Sequence, residues 1–236
     1  MITKKTSIKE SIELNQLNES VLLRYGIPAR KELSIGRSAS NLVISTDFLV
    51  DILNCHGGAS VFELEKFQRY SIPVLLEYLQ KSHNFYREKK LLEIEQSVFN
   101  LMIGRIGSFS AVNLIALFYT DYKKELINHF NLEENVLFPY ALALNKSAKD
   151  PKAREQAIEL SQQYSIAKFT VEHTESHKEL DRVRESLRLF NPSKSDESAL
   201  RVLLDQFKSF ETDFYLHSLI EDEVLVPKLL KLEQSL

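Results

Sequence analysis

The order of apolar and polar residues along the 236-residue chain predicts an all-α protein. No strand-like alternation with hairpin turns stands out, and only six glycines and six prolines interrupt the chain. Once these breakers are marked, four long helices are predicted, at about residues 67–102, 109–144, 151–190 and 195–232. Their short connections favour antiparallel neighbours and therefore an up-down-up-down four-helix bundle.

Prolines and a capping residue refine these boundaries. Asp150 is a good N-cap for the third helix, and Pro151 suits its first position. Pro73, Pro139 and Pro227 predict kinks or helix ends. Residues 1–62 contain only short helical segments, at about 7–25, 38–42 and 47–53, and are expected to form a small helical appendage to a bundle spanning residues 63–236.

The overall composition is ordinary for a globular protein, with 27% charged residues, 44% hydrophobic residues and a net charge of -3. This charge gives no footprint for nucleic acid. The apolar runs are too short to span a membrane, and no apolar segment of a secretion signal follows the basic N-terminal residues. A single cysteine, Cys55, excludes an intrachain disulfide, so the cytoplasm is the expected location. We expect a monomer or a homodimer.

Two of the six histidines open near-copies of one eleven-residue segment. The first copy runs from His129 to Pro139 and the second from His217 to Pro227, with His, Glu, Val, Leu and Pro identical at five positions. Each histidine is followed four residues later by a glutamate, at position 133 or 221. Residues four apart lie on one face of a helix, so each His–Glu pair can reach one point.

Three further histidines lie on the other two predicted helices, so each helix supplies at least one imidazole. Bundle interiors are where such groups build metal sites. Mixed imidazole and carboxylate ligands suit iron or manganese, and zinc also accepts them. The seven candidate ligands are His83, His129, Glu133, His173, His177, His217 and Glu221.

The role of His177 decides how many coordination positions stay open. We assume two octahedral metals that share both glutamates and a bridging oxide. One coordination position then stays open if His177 is a ligand, and two stay open if it is not. One open position suits terminal binding of a small gas such as O2, and two suit chemistry across both metals. Glu134, Asp222 and Glu223 are expected to face solvent or to contact ligands. Glu125 and Asp213 each lie four residues before a candidate ligand histidine, where they could hydrogen-bond ligands, relay protons or lie at the surface.

These motifs resemble those of the hemerythrin-like (HHE cation-binding) proteins over about residues 70–232. They are most similar to the di-iron proteins that repair iron–sulfur clusters, the repair-of-iron-centres family. The similarity lies in the His-x-x-x-Glu-Glu-x-x-Leu-Phe-Pro segment at 129–139, in Glu172-His173, in Arg87 four residues after His83, and in the segment at 217–227. The resemblance implies a hemerythrin-like bundle whose oxo-bridged non-haem di-iron centre, with both glutamates bridging, is held by His83, His129, Glu133, His173, His217 and Glu221.

The chain departs from the repair family at two places. The family's adjacent cysteine pair is missing after the similar segment at 24–27, and Cys55 lies too close to His83 to replace it. His177 stands where O2-binding hemerythrins have a histidine and the repair proteins usually have a small residue.

Three functions are therefore open. The first is a di-iron protein that binds or reacts with O2 or NO in nitrosative or oxidative stress, or that repairs iron centres. The second is an O2 carrier or sensor without catalysis. The third is a metal-stabilised interaction module that docks a protein partner through its N-terminal region.

Overall fold

The computed structural model describes residues 1–29, 32–40, 42, 44–56, 62–103, 109–171, 173 and 197–236. Regular secondary structure in these ranges is helical, and one isolated backbone bridge joins Ser7 to Ser34. The all-α prediction is confirmed for this part of the chain. None of its helices is long and apolar enough to cross a membrane.

The N-terminal region consists of short capped helices. They are α1 (Ile8–Leu14), α2 (Leu17–Arg24), α3 (Ile35–Ala39), α4 (Thr46–Cys55) and α5 (Leu64–Gln68). Hydroxyl oxygens of Ser7, Ser34 and Ser45 accept hydrogen bonds from the first free N–H groups of α1, α3 and α4. Gly26 ends the α2 segment with a positive φ of 67°, which only glycine adopts without strain.

Long helices make up the rest of the described chain. They comprise α6 (Ile72–Phe85), π1 (Tyr86–Lys90), α7 (Leu91–Ile103), α8 (Phe109–Leu132), π2 (Glu133–Leu137), α9 (Phe138–Ser147), α10 (Pro151–Gln163), α11 (Glu197–Ile220), π3 (Glu221–Leu225) and α12 (Val226–Glu233). Each π segment runs directly into the α-helices on either side. Asp150 caps α10 and Pro151 is its first residue, as predicted.

Two predicted boundaries are wrong. The first long helix begins at Ile72 and not at residue 67, because Pro73 fits a first helical turn, whose N–H groups need no helical partner. The third helix is broken after Gln163, where Tyr164 is extended, and residues 166–171 then resume a helix. The predicted extension to residue 190 lies outside the described residues.

The chain forms two compact units, of residues 1–85 with 211–228, and of residues 86–210 with 229–236. In the first unit, Phe48 makes edge-to-face contacts with Phe67, Tyr70 and Tyr78. This aromatic core anchors α4 and α5 to α6. The predicted domain boundary near residue 62 remains a prediction.

The second unit has a separate aromatic core. Tyr86 lies against Phe130 and Phe210, and the ring of Tyr122 packs edge-on against Phe207 and Phe210. These contacts hold π1, α8 and α11 together, next to His129, which directly precedes Phe130 in the chain. The fold thus provides two packed interiors, and each contains candidate ligands.

Candidate metal centre

The second unit brings together His129, Glu133 and His173. All three are buried, and each offers a ligand atom within 4.8 Å of the others. Glu133 Oε1 lies 2.6 Å from His129 Nε2 and 3.6 Å from His173 Nε2. The two imidazole rings are 4.6 Å apart between centroids. One carboxylate oxygen therefore faces two imidazole nitrogens.

The first unit holds a similar set, made of His83, His217 and Glu221. The Nε2 atoms of the two histidines are 3.2 Å apart, and His217 Nε2 lies 3.9 Å from Glu221 Oε2. All three residues are fully buried, with 0% exposure. Each unit therefore contains two imidazoles and one carboxylate that converge in a buried interior.

The separation of the two histidines in the first unit fits a metal ion. Two nitrogens that each lie about 2.1 Å from one metal, at angles between about 90° and 109°, are roughly 3.0–3.4 Å apart. The 3.2 Å between the Nε2 atoms of His83 and His217 falls in this range, whereas the two contacts of Glu133, at 2.6 and 3.6 Å, lie just outside it. A fully buried carboxylate is costly without a compensating charge, which a divalent cation would supply to Glu133 and Glu221. The residues present could hold a metal ion.

Each candidate glutamate begins a π turn. The N–H of Phe138 donates to the carbonyl of Glu133, and the N–H of Val226 donates to the carbonyl of Glu221. Such single π turns inside α-helices are frequent at functional sites. The helices continue through Pro139 and Pro227, so neither proline ends its helix, and each follows directly on a π turn.

Aromatic rings form the walls around the imidazoles. Phe214 stacks on His217 with 5.6 Å between centroids, and Phe169 lies 5.0 Å from His173. Phe130 lies beside His129. Such apolar surroundings restrict water and fix the ring orientations.

The acidic neighbours of the candidate ligands fall into different environments. Asp222 and Glu223 are exposed, and Glu134 is half-buried in an ion pair with Arg87, 2.7 Å away. Glu125 is half-buried, whereas Asp213 is 1% exposed. The equal treatment of Glu125 and Asp213 in the sequence pattern therefore does not hold in the structure. His177 lies outside the described residues, as does Glu172, so the prediction for His177 stays a prediction.

The sequence pattern did not identify Arg24 or His56, which both contact Asp213 in the interior of the first unit. His56 is the one histidine of the six that is not among the candidate ligands. Its burial at 6% exposure and its polar contacts become visible only in the folded chain.

Comparisons of the chain with protein-family models, with curated proteins and with solved structures found no match. The resemblance of the His–Glu motifs to hemerythrin-like proteins thus stays a prediction, and the buried groups of imidazoles and carboxylates are what the structure itself contributes.

Proposed function

We propose that this protein is a non-haem metalloprotein that holds two iron ions and binds or reacts with O2 or NO. The observation that carries the proposal is the presence, in each unit, of two buried imidazoles and one buried carboxylate joined by separations of 2.6 to 3.9 Å. Sets of two histidines and one carboxylate suit iron that keeps open coordination positions for exogenous ligands. Manganese and zinc accept the same donors.

The arrangement of the helices is part of the proposal. We infer a four-helix bundle of the hemerythrin-like type, in which Glu133 and Glu221 would both be metal ligands. The support comes from the repeated segments at 129–139 and 217–227, which give two different helices the same His–Glu spacing. Facing helices of bundles commonly build dinuclear sites in this way.

The chain's own residues would orient and shield the metals. The four histidines point their Nε2 atoms inward, and the rings of Phe214 and Phe169 hold two of them in place. Burial of Glu133 and Glu221 keeps both carboxylates away from bulk water, which strengthens their attraction for a cation. Ferrous iron, when bound, would supply open positions and electrons for O2 or NO.

The resemblance to the repair family favours a role in nitrosative or oxidative stress, or in the repair of iron centres. Cys55 is buried and stands alone in the chain. The proposed function therefore includes no step that needs the family's dithiol.

The proposal is tested by metal analysis and optical spectroscopy on full-length protein purified without oxygen. We expect about two irons per chain, and a change in the near-ultraviolet and visible spectrum when O2 or NO is added. Recovery of the starting spectrum after removal of O2 would assign the protein to carriage or sensing. Irreversible change would favour a reaction.

A pair of adjacent variants provides the control. Glu221→Ala removes a buried candidate ligand, and Asp222→Ala removes an exposed carboxylate one residue later in the same π turn. We expect the first variant to lose iron and the second to retain it. Wild-type protein that takes up no iron, or iron-loaded protein that responds to neither gas, would refute the proposal.

A further inference from the structure

A buried ion pair joins the N-terminal region to a ligand-bearing helix within the first unit. The guanidinium of Arg24, at the end of α2, pairs with the carboxylate of Asp213 on α11, and the two side chains are 0% and 2% exposed. Another nitrogen of the same guanidinium, Nη1, donates to Ser82 Oγ on α6 at 3.0 Å. One side chain therefore connects two long helices.

Asp213 has a second partner from the N-terminal region. Its Oδ1 lies 3.4 Å from His56 Nε2, and His56 Nδ1 lies 3.1 Å from Asn18 Oδ1. Asn18 in turn donates through Nδ2 to the carbonyl of Ser11, at 2.8 Å. Arg24 of α2 and His56 at the end of α4 thus both contact one carboxylate of α11, and Asn18 connects His56 to α1.

The two positions held by Arg24 are close to candidate ligands in the chain. Ser82 immediately precedes His83, and Asp213 lies four residues, about one helical turn, before His217. The guanidinium also lies over the ring of Phe85, 5.2 Å from its centroid. A planar guanidinium offers its donors in a fixed fork, so it imposes a geometry on the groups that it joins.

We propose that Arg24 is a positioning residue, which sets the separation of the ligands His83 and His217 by tying Ser82 to Asp213. On this account α2 and His56 support the metal centre and are not part of a detachable appendage. The inference rests on the proposed function, because it assumes that these two histidines bind a metal. A buried ion pair by itself adds little net stability, so its geometric effect is the property to measure.

The test uses full-length variants and cobalt(II), whose visible absorption depends on the geometry of its ligands. Arg24→Lys keeps the charge but loses the planar fork. The double variant Arg24→Met, Asp213→Asn removes both buried charges together and so avoids leaving one uncompensated. The matched control is Arg69→Met, which breaks an ion pair with Asp51 in the same unit, at a site where Arg69 is 55% exposed.

We expect both variants at Arg24 to bind cobalt about 10–100-fold more weakly than the wild type, the range found when outer partners of metal ligands are removed. Their cobalt spectra should also differ from the wild-type spectrum, while Arg69→Met matches the wild type in both measurements. Circular dichroism of the metal-free proteins shows whether each variant is folded. If the double variant does not fold, Arg24→Lys alone decides.

Wild-type cobalt affinity and an unchanged spectrum in a folded Arg24 variant would overturn the inference and leave the proposed metal centre standing. An equal loss of affinity in Arg69→Met would also overturn it, since the effect would then follow from any lost ion pair. Wild-type protein that binds neither cobalt nor iron would refute the metal centre and this inference together.

Discussion

Two adjacent glutamates on π2 occupy opposite environments. Glu133 is 0% exposed and faces the imidazoles of His129 and His173. Glu134 points toward Arg87, which donates to it from Nη1 at 2.7 Å, in a half-exposed ion pair. Glu133 is thus a candidate ligand, whereas the ion pair of its neighbour Glu134 is expected to contribute little to binding or stability.

This contrast gives a prediction for metal affinity. We expect Glu133→Ala to weaken iron or cobalt binding by at least about 100-fold, because loss of a ligand should exceed the 10–100-fold cost of losing an outer partner. Glu134→Ala should change it less than about threefold. Titration of metal-free protein with cobalt measures both variants, and equal effects would show that the assignment of Glu133 as the ligand is wrong.

Local spacing explains what could be predicted at single residues. The interval of four between histidine and glutamate selected Glu133 and Glu221, and both are buried. The same interval made Glu125 and Asp213 equivalent, yet only Asp213 is buried. Its partner Arg24 lies 189 residues away in the chain, and a periodic pattern carries no information about a pairing at that distance.

At the scale of helices, Pro139 and Pro227 both lie inside continuous helices, directly after a π turn. A proline inside an α-helix lacks the N–H that bonds to the residue four positions earlier, and its ring collides with that carbonyl. In both repeats a π turn immediately precedes the proline, and the N–H of the residue just before the ring, Phe138 or Val226, donates to the carbonyl of the glutamate five residues earlier. The proline and the widened turn therefore occur together.

We predict opposite effects of Pro139→Ala on stability and on metal binding. Alanine restores the missing N–H and favours a regular α-helix, so the metal-free protein should gain about 1–3 kcal/mol and its melting temperature should rise by roughly 2–4 °C per kcal/mol. Realignment of the turn should move the Glu133 carboxylate and lower metal affinity about tenfold.

Pro73→Ala is the matched control, because Pro73 stands in the first turn of α6, where a helix needs no N–H donor. We expect it to leave metal affinity unchanged. Thermal melts and cobalt titrations of both variants test the argument, which fails if Pro139→Ala binds cobalt as tightly as the wild type does.

Helix boundaries were predictable where a specific residue marks them. Asp150 and Pro151 located the start of α10 because a carboxylate cap and a preset φ act on adjacent residues. The break at Tyr164 has neither proline nor glycine beside it. There the N–H of Ile166 donates to the carboxylate of Glu233, 67 residues away, and Ser165 Oγ accepts from the N–H of Lys168. The serine is a local N-cap signal, whereas the contact with Glu233 is tertiary and does not show in the local sequence.

Across the whole molecule, burial shifts several groups that ionise in alkaline solution. Burial raises the pKa of the Cys55 thiol from 9.0 to about 12, and burial with a hydrogen bond to Asp51 raises the pKa of Tyr70 from 10.0 to about 12. Burial likewise raises the pKa of the phenols of Tyr25, Tyr78, Tyr119 and Tyr140. In each case the folded state holds the proton more tightly than the unfolded state does.

This imbalance predicts that the free energy of unfolding falls in alkaline solution. The contribution of a group with a raised pKa is fully present below its unfolded value, about 9 for the thiol and 10 for the phenols, and is lost as pH rises toward the folded value near 12. We therefore expect constant urea midpoints up to about pH 8.5, and a steady fall above it.

The variant Tyr78→Phe tests whether buried phenols cause this loss, because it removes the ionisable group from a fully buried side chain. Its urea midpoint should fall less steeply above about pH 9.5 than that of the wild type. Unfolding of the variant releases one proton fewer in alkaline solution, because the phenol of residue 78 is absent. Tyr215→Phe, at a side chain that is 53% exposed, should follow the wild-type curve. Identical slopes for Tyr78→Phe and the wild type would contradict the argument, because burial of that phenol would then have no linkage to folding.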